Sequence, residues 1–186
     1  MNKSIKHAVR IALIAALYAV FTLLSASLGL AYGNIQLRIS EALMILCAFS
    51  NDAVAGVVIG CALANIASPF GPADMLIGSA ATLAAALLIR TVAARVTDIR
   101  AVTALSVLMT AAVNGIAVGA ETAFIAGAGQ TLGVFFISAA EVVAGELIVG
   151  AVLGPLIVTA LKKNKSLNLY FCTERSCEAS VQKRKK

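Results

Sequence analysis

Long apolar runs alternate with short polar breaks along this chain, which predicts a series of membrane-spanning helices. The apolar runs cover residues 8–31, 35–50, 53–68, 73–93, 101–123 and 134–161. A membrane helix needs about 20 apolar residues, so the second and third runs are short. They either cross the bilayer with little tilt or form a re-entrant pair buried among the other helices. The pattern therefore predicts an all-α polytopic membrane protein with about six transmembrane helices.

Composition supports this fold class and divides the chain into two regions. Hydrophobic residues make up 60% of the 186 positions and charged residues only 13%, too few for the surface of a soluble domain of this length. We predict a transmembrane domain over residues 1–165 and a polar, basic cytoplasmic tail over residues 166–186. The first apolar run continues to Ala31, which favours an uncleaved helix over a secretory signal.

The basic residues indicate how the chain is oriented. They lie before or at the start of the first run, from the end of the fourth run to the start of the fifth, and after the sixth, so that Arg38 alone of the 15 Lys and Arg falls on the other side. The positive-inside rule then places both termini in the cytoplasm, in a multi-pass protein of the cell (plasma) membrane, the inner membrane in bacteria. The net charge of +6 is thus a membrane feature, with lipid and not nucleic acid as the partner.

Strongly polar residues inside the apolar runs cluster at similar depth, toward the outer face. They are Arg38, Glu41, Asn65, Asp74, Asn114, Glu121, Glu141 and Glu146. The inner halves of the runs carry nothing stronger than hydroxyls such as Thr103. Charge inside a membrane is costly, and a path that crosses the bilayer would normally leave polar residues at both depths. The arrangement indicates a cup that opens to the outside.

Several of these residues also have a purely structural interpretation. Arg38 and Glu41 are three residues apart, so they either form a salt bridge that fixes a loop to a helix or contact a ligand. Asp74 follows a proline at the start of its run, where we expect first of all a helix cap. Asn65 and Asn114 either bridge neighbouring helices or contact a ligand.

Glu146 is the hardest of these residues to explain structurally. It lies within the apolar stretch 142–153. A buried carboxylate is protonated, paired or bound to something. Arg38 is the only basic residue on that side, and Glu41 and Glu141 compete for it. We therefore expect at least one carboxylate to be available for a ligand.

The chemistry of these groups suggests the kind of ligand. Carboxylates accept hydrogen bonds and amides both donate and accept them, so a flat solute with several N–H donors or a small cation would satisfy the site. Tyr32 and Phe70 in the outer loops would supply stacking faces. An enzyme is not expected, since His7 is the only histidine and no metal motif occurs. Neither a cofactor nor a metal is expected, and the chain has no phosphate-binding ATPase loop.

Small residues recur at four-residue spacing on the first apolar run. Ala8, Ala12 and Ala16 form one ridge, with Ala15 and Ala19 beside it. In lipid such a ridge lets another helix approach closely. It serves either packing within the protein or docking of a further membrane subunit.

Residues 32–43, which read YGNIQLRISEAL, resemble the signature loop of the QueT family. Weaker similarities follow in order around Asn65, at Asp74 with Gly78, at Asn114 and through residues 145–148. The resemblance extends over roughly residues 8–162. Members of this family are substrate-binding (S) components of energy-coupling-factor (ECF) transporters, assigned to queuosine precursors.

The resemblance implies a fold, partners and a substrate. It implies a six-helix S-component bundle, with residues 1–165 as the substrate-binding domain, that docks on an ECF coupling protein with two ATPase subunits. The alanine ridge resembles the docking surface of such components. The substrate would be a 7-deazaguanine such as queuine or its 7-cyano or 7-aminomethyl precursor. The candidate substrate-binding residues are Arg38, Glu41, Asn65, Asp74, Asn114, Glu141, Glu146, Tyr32 and Gln36.

Two other transport functions remain open at this point. One is an S component for another vitamin-like solute. The other is a self-sufficient, proton-coupled secondary transporter in which Glu141 and Glu146 carry the protons. Secondary transporters often have inverted repeats with paired broken helices, and no clear inverted repeat is visible in this sequence.

Overall fold

A computed structural model describes residues 2–31, 36–68, 71–125 and 131–171, without the side chains of residues 165 and 169. The elements are α1 (Lys3–Ser27), a 3-10 helix (Ile39–Ala48), α2 (Asn51–Asn65), α3 (Pro72–Arg95), α4 (Ile99–Phe124), α5 (Leu132–Lys163) and α6 (Lys165–Phe171). No strand occurs in these ranges. The predicted all-helical class is confirmed, and the long helices begin and end within a few residues of the predicted apolar runs.

The helices begin where the sequence offers capping chemistry. Ser50, Asp98 and Thr131 each accept a backbone N–H from two or three residues further on, which caps α2, α4 and α5. The start of α3 is different, because its N-cap is Gly71 with a φ of 63°. That left-handed conformation favours glycine, and Pro72 fits the first helical position that follows.

The distribution of polar and apolar residues is that of a protein surrounded by lipid. Large apolar side chains point outward, including Leu76 at 67% and Leu132 at 69% exposure, whereas charged residues such as Asp74 and Glu146 are buried. Within the described ranges, four helices are long and apolar enough to cross a membrane, namely α1, α3, α4 and α5. The chain is a multi-pass membrane protein. The count of six crossings and the side of the termini stay predictions.

Glycine contacts establish the directions of the helices. A Cβ on Gly56 or Gly60 of α2 would lie 2.7 Å from Ile14 and Tyr18 of α1 respectively, so these two helices run parallel and in close contact. A Cβ on Gly119 of α4 would lie 2.9 Å from Ala139 of α5. One end of the bundle holds the first residues of α1 and α4 and the last residues of α3 and α5. We name it the basic end.

The 3-10 helix occupies the centre of the bundle. All of its residues except Ile39 are buried, and it packs against each of the helices α1 to α5. It begins beside the end of α1, where the Ile39 N–H donates to Ser25 Oγ at 3.1 Å. A rise of about 2 Å per residue lets ten residues cover about 20 Å, whereas an α-helix would cover about 15 Å. The sequence predicted a short membrane segment here but not its helix type.

The short helix α6 falls in the region predicted to be a polar tail. It packs on α5, and the guanidinium carbon of Arg10 lies 5.3 Å from the centroid of the Tyr170 ring. This distance is within cation–π range. The tail residues after 171 lie outside the described ranges, and the division into two domains stays a prediction.

Candidate functional site

Two buried glutamates from different elements face one small cavity. Glu41 of the 3-10 helix and Glu146 of α5 are each 5% exposed. They line a cavity of about 10 Å3 together with Ser106 and Thr110 of α4. Two carboxylates at one cavity repel each other when both are charged. The sequence placed both residues in the candidate site, and the structure brings them together.

Each of these carboxylates is held by one hydrogen bond and leaves its other oxygen unbonded. Asn114 Nδ2 donates to Glu146 Oε1 at 2.7 Å, and Tyr18 Oη donates to Glu41 Oε1. The second oxygens, Oε2 in both cases, have no hydrogen-bond partner among the described residues. Buried polar atoms are normally hydrogen-bonded, so two orphan acceptors at one cavity indicate a place for a donor.

A second polar group joins the start of α3 to its neighbours. Arg38 Nη2 lies 3.7 Å from Asp74 Oδ2, and its Nε donates to the Ala31 carbonyl at 3.3 Å. Asn65 at the end of α2 donates to the Asp74 carbonyl at 3.1 Å. All three side chains are buried, and Asn65 Oδ1 has no hydrogen-bond partner in the described part of the chain.

Glycines give two candidate residues their positions. A Cβ on Gly78 would lie 2.5 Å from Asn65 Nδ2, so only glycine leaves room for this amide beside α3. A Cβ on Gly145 would overlap the backbone carbonyl of Gln36. Gln36, itself buried, is therefore seated on α5 one residue before Glu146. Both glycines belong to the stretches that resemble the QueT family.

The charges in this half of the bundle do not balance. Glu41, Asp74, Glu121 and Glu146 are buried, and Arg38 is the one buried cation on the same side in the described ranges. Glu121 Oε1 is a further acceptor with no hydrogen bond there. Buried charges are costly unless paired. The excess of carboxylates therefore favours a ligand that brings hydrogen-bond donors or positive charge.

The structure decides several of the alternatives left open by the sequence. The expectation that Asp74 caps its helix is wrong, because Gly71 is the N-cap and Asp74 pairs with Arg38 instead. Asn65 does bridge helices α2 and α3 through the Asp74 carbonyl. Asn114 bridges α4 and α5 through its hydrogen bond to Glu146. A ligand role for these residues stays a prediction.

Other candidates lie apart from the two carboxylates at the cavity. Glu141 is half-buried on α5, and no hydrogen bond or ion pair to another described residue is present. Tyr32 and Phe70 lie outside the described residues, so their stacking role stays untested. In the described ranges, no group of three or more His, Cys, Asp or Glu side chains is placed so that it could hold a metal ion.

The predicted docking alanines divide between two faces of α1. Ala8, Ala12 and Ala16 are exposed and form a continuous ridge, and Ala19 is partly exposed. Ala15 is 5% exposed and packs on Gly60 of α2, where a Cβ would lie 2.7 Å from the Ala15 carbonyl. The ridge thus remains available to another helix, while Ala15 belongs to the α1–α2 contact.

Sequence reasoning missed the polar face of α1. Tyr18, Thr22 and Ser25 share the face that packs on the 3-10 helix, where Thr22 Oγ1 lies 2.7 Å from Ser40 Oγ. Their spacing of four and three residues was the available signal, because it aligns polar groups in one stripe on an otherwise apolar helix. Tyr18 contributes most, since it binds Glu41 directly.

Comparisons with known proteins agree with this picture. The family model described as QueT transporter matches residues 8–163. A curated relative, "Queuosine precursor transporter QueT" of Lactococcus lactis subsp. cremoris (strain MG1363), is 37% identical over 75 residues, which cover 40% of this chain and 44% of the relative. No solved structure matches the chain significantly. The family match extends from α1 through α5 and includes every residue at the cavity, so the chain belongs to the QueT transporter family.

Proposed function

We propose that this protein is the substrate-capture (S) subunit of an ATP-driven ECF importer in the bacterial plasma membrane. Its substrate is a queuosine precursor of the 7-deazaguanine type, bound from the outside. The proposal is supported by membership in a transporter family and by the relative, which is named as a queuosine precursor transporter. The observation that carries it is the pair of buried carboxylates, Glu41 and Glu146, whose free oxygens face one cavity.

The hydrogen-bonding edge of a 7-deazaguanine is complementary to these groups. Its ring N–H and exocyclic amino group present adjacent donors, which a carboxylate accepts as a bidentate pair. Asn114 already satisfies one oxygen of Glu146, so the amide fixes the carboxylate without neutralising it. An aminomethyl ammonium group on the base would find the excess of carboxylates favourable.

Binding requires the site to enlarge. The cavity of about 10 Å3 holds little more than one water-sized probe, whereas small-molecule sites usually enclose roughly 300–1,000 Å3. Its walls come from the 3-10 helix, α4 and α5. A 3-10 helix of ten residues is uncommon, because its hydrogen-bond geometry is poorer than that of an α-helix. We therefore infer that substrate entry moves the 3-10 helix, and Glu41 with it, relative to α5.

Docking would use the exposed alanine ridge of α1. Ala8, Ala12 and Ala16 let a helix of a coupling protein approach the backbone closely. Replacing Ala12 by leucine should prevent co-purification with the coupling protein and its two ATPases while leaving substrate binding unchanged. The control is Leu13→Ala, which changes the size of a side chain on the neighbouring exposed face. It should retain the complex.

The decisive experiment separates capture from transport. The detergent-purified chain is titrated with queuine, its 7-cyano and 7-aminomethyl precursors, guanine and a panel of vitamins by calorimetry. We expect saturable binding of a 7-deazaguanine, and no uptake when the chain alone is placed in liposomes. Tight binding of a vitamin instead would reassign the substrate. Uptake by the chain alone, driven by a pH gradient, would replace the ECF mechanism by proton-coupled transport.

A further inference from the structure

The cavity between Glu41 and Glu146 is lined by oxygen atoms that accept contacts and have no proton left to give. Besides the two free carboxylate oxygens, two hydroxyl side chains line it, those of Ser106 and Thr110. Ser106 donates its proton to the carbonyl of Val102 at 2.7 Å, and Thr110 donates to the carbonyl of Ser106 at 3.0 Å. Each hydroxyl oxygen is therefore left as an acceptor. The other side chains that line the cavity are apolar.

Glycines keep this cavity open but small. Gly150 and Gly154 follow Glu146 on α5 at four-residue spacing and line the cavity, so no side chain from these positions fills it. A Cβ on Gly150 would lie 2.5 Å from Val107 Cγ1, which shows how closely α4 and α5 approach here. The volume of about 10 Å3 is close to that of one water-sized sphere. The cavity therefore has room for one water molecule or one ion without its hydration shell.

The charge at this cavity is negative. No Lys, Arg or His lines it in the described ranges, and Arg38 contacts Asp74 and the Ala31 carbonyl instead. The undescribed loop residues 32–35, 69–70 and 126–130 contain no charged side chain, and the other undescribed Lys and Arg side chains all come after α5, which ends at the basic end. A water molecule could donate to both carboxylates, but it would bring no charge. A cation would bring charge and also bind to oxygen atoms.

The size of the cavity favours a monovalent cation over a divalent one. Ca2+ takes about six to eight oxygen ligands, and Mg2+ usually keeps several waters. Neither requirement is met by two carboxylate oxygens and two hydroxyl oxygens around a space of about 10 Å3.

From these observations we infer that one dehydrated alkali cation, Na+ or K+, binds between Glu41 and Glu146 in the substrate-free protein. The hydroxyl oxygens of Ser106 and Thr110 complete its ligands. The site uses two carboxylates and two hydroxyls, and so needs no group of three or more His, Cys, Asp or Glu side chains. The cation joins the 3-10 helix to α5, the two elements that must separate for substrate entry. The N–H donors of the substrate then displace it, and this last step alone rests on the proposed function.

The cation site is tested by thermal unfolding of the full, detergent-purified chain without substrate. NaCl or KCl replaces choline chloride at constant ionic strength, so that screening stays the same. We expect Tm to rise saturably with the alkali cation, because a ligand that binds only the folded protein stabilises it. Sodium NMR on the same samples should show line broadening that the protein saturates. A Tm that is the same in all three salts would show that water or a proton suffices, and would overturn the inference.

Two matched variants of α4 test the hydroxyl ligands. Thr110→Val keeps the shape and every charge but removes one oxygen, so it should need roughly tenfold more Na+ for the same rise in Tm, as for one polar contact to a charged group. The control is Thr103→Val. Thr103 donates to the Ile99 carbonyl at 2.7 Å in the same way but does not line the cavity. It should respond to Na+ as the unchanged protein does. Equal Na+ requirements in the two variants would overturn the inference.

Glu146→Gln tests the carboxylate ligand. Its Tm in choline chloride should be at least that of the unchanged protein, and NaCl should not raise it further. A full response to Na+ in this variant would contradict the site.

Competition tests the link to transport. The affinity for a 7-deazaguanine, measured by calorimetry, should fall in inverse proportion to Na+ above the dissociation constant of the ion, because the two ligands exclude each other. Unchanged or higher affinity in Na+ would overturn displacement. If no base binds at all, the proposed function fails while the Tm response still decides the cation site. If a base binds and Tm ignores Na+, the proposed function stands and the cation site fails.

Discussion

Two buried ionic groups lie at opposite ends of this bundle, and they differ in charge balance. At the basic end, Arg10 and Asp52 join α1 to α2 in a short ion pair, and His7 lies 2.8 Å from the same carboxylate. In the other half, Glu41 and Glu146 face a cavity with one free oxygen each. In the first group the charges of Arg10 and Asp52 pair with each other, although Arg10 Nε has no hydrogen bond in the described ranges. The second group has acceptors to spare.

The difference separates a structural role from a binding role. In the basic group the Asp52 carboxylate of α2 is bonded by His7 and Arg10, both on α1, so the contact fixes α1 on α2. In the acidic group the hydrogen bonds from Tyr18 and Asn114 orient the carboxylates but leave their charge uncompensated. Ionisable groups held in this way inside a membrane indicate a functional site, and we expect a ligand to supply the missing donors.

The largest effect we expect is on stability, from breaking the matched group. Asp52→Ala leaves Arg10 buried without its carboxylate, and breaking a buried pair in this way costs about 3–5 kcal/mol. Thermal unfolding in detergent should detect this loss, while substrate affinity should stay within about twofold. The double variant Arg10→Met/Asp52→Ala removes both charges and should recover most of the stability. If Asp52→Ala instead abolished binding without a loss of stability, the assignment of roles to the two ends would be reversed.

The acidic group should respond in the opposite way. Glu146→Gln retains the size of the side chain and an oxygen for Asn114, but removes the charge. Because that charge is unmatched in the protein, the free energy of unfolding should be unchanged or higher. Affinity for a 7-deazaguanine should fall on the order of 100-fold, since a charge-assisted, bidentate hydrogen bond is lost. Calorimetry on the purified variant provides the measurement.

Arg38→Ala is the companion to that experiment. It removes the one buried cation of the acidic half, which increases the charge imbalance and frees Asp74. We expect binding to be abolished in a protein that still inserts and folds. Normal binding of a 7-deazaguanine by both the Glu146→Gln and Arg38→Ala variants would place the site elsewhere.

The sequence predicted the helices and the carboxylates for a simple physical reason. In lipid, apolar runs of sufficient length must be helical, and charges within them are rare enough to stand out. That reasoning correctly placed the apolar runs, identified Glu146 as a buried carboxylate and included Glu41 among the polar residues inside the membrane. It also predicted the ridge of small residues on α1, because residues at four-residue spacing share a face, and Ala8, Ala12 and Ala16 are exposed together. The docking role of this ridge stays a prediction.

Partners across the bundle could not be predicted in the same way. The pairing of Arg38 with Asp74 links residues 36 positions apart in the chain, and it depends on how α3 is placed against the loop before the 3-10 helix. Local rules pointed to a helix cap for Asp74 because the proline before it marks a helix start. The 3-10 geometry of residues 39–48 has no signal in the apolar pattern, since a fully buried segment shows no amphipathic period.

Tyr18→Phe makes the smallest change and tests whether Glu41 belongs to the site or only to the core. Loss of the hydroxyl removes the hydrogen bond to Glu41 Oε1, so the carboxylate is less firmly oriented toward the cavity. We expect affinity to fall about fivefold, which corresponds to about 1 kcal/mol for one hydrogen bond. The control is Thr22→Val, one turn further along α1, which removes a hydroxyl that contacts Ser40 and no carboxylate. It should lower the stability by a similar amount and leave affinity unchanged. Equal affinity losses in the two variants would mean that α1 packing, and not Glu41, supports binding.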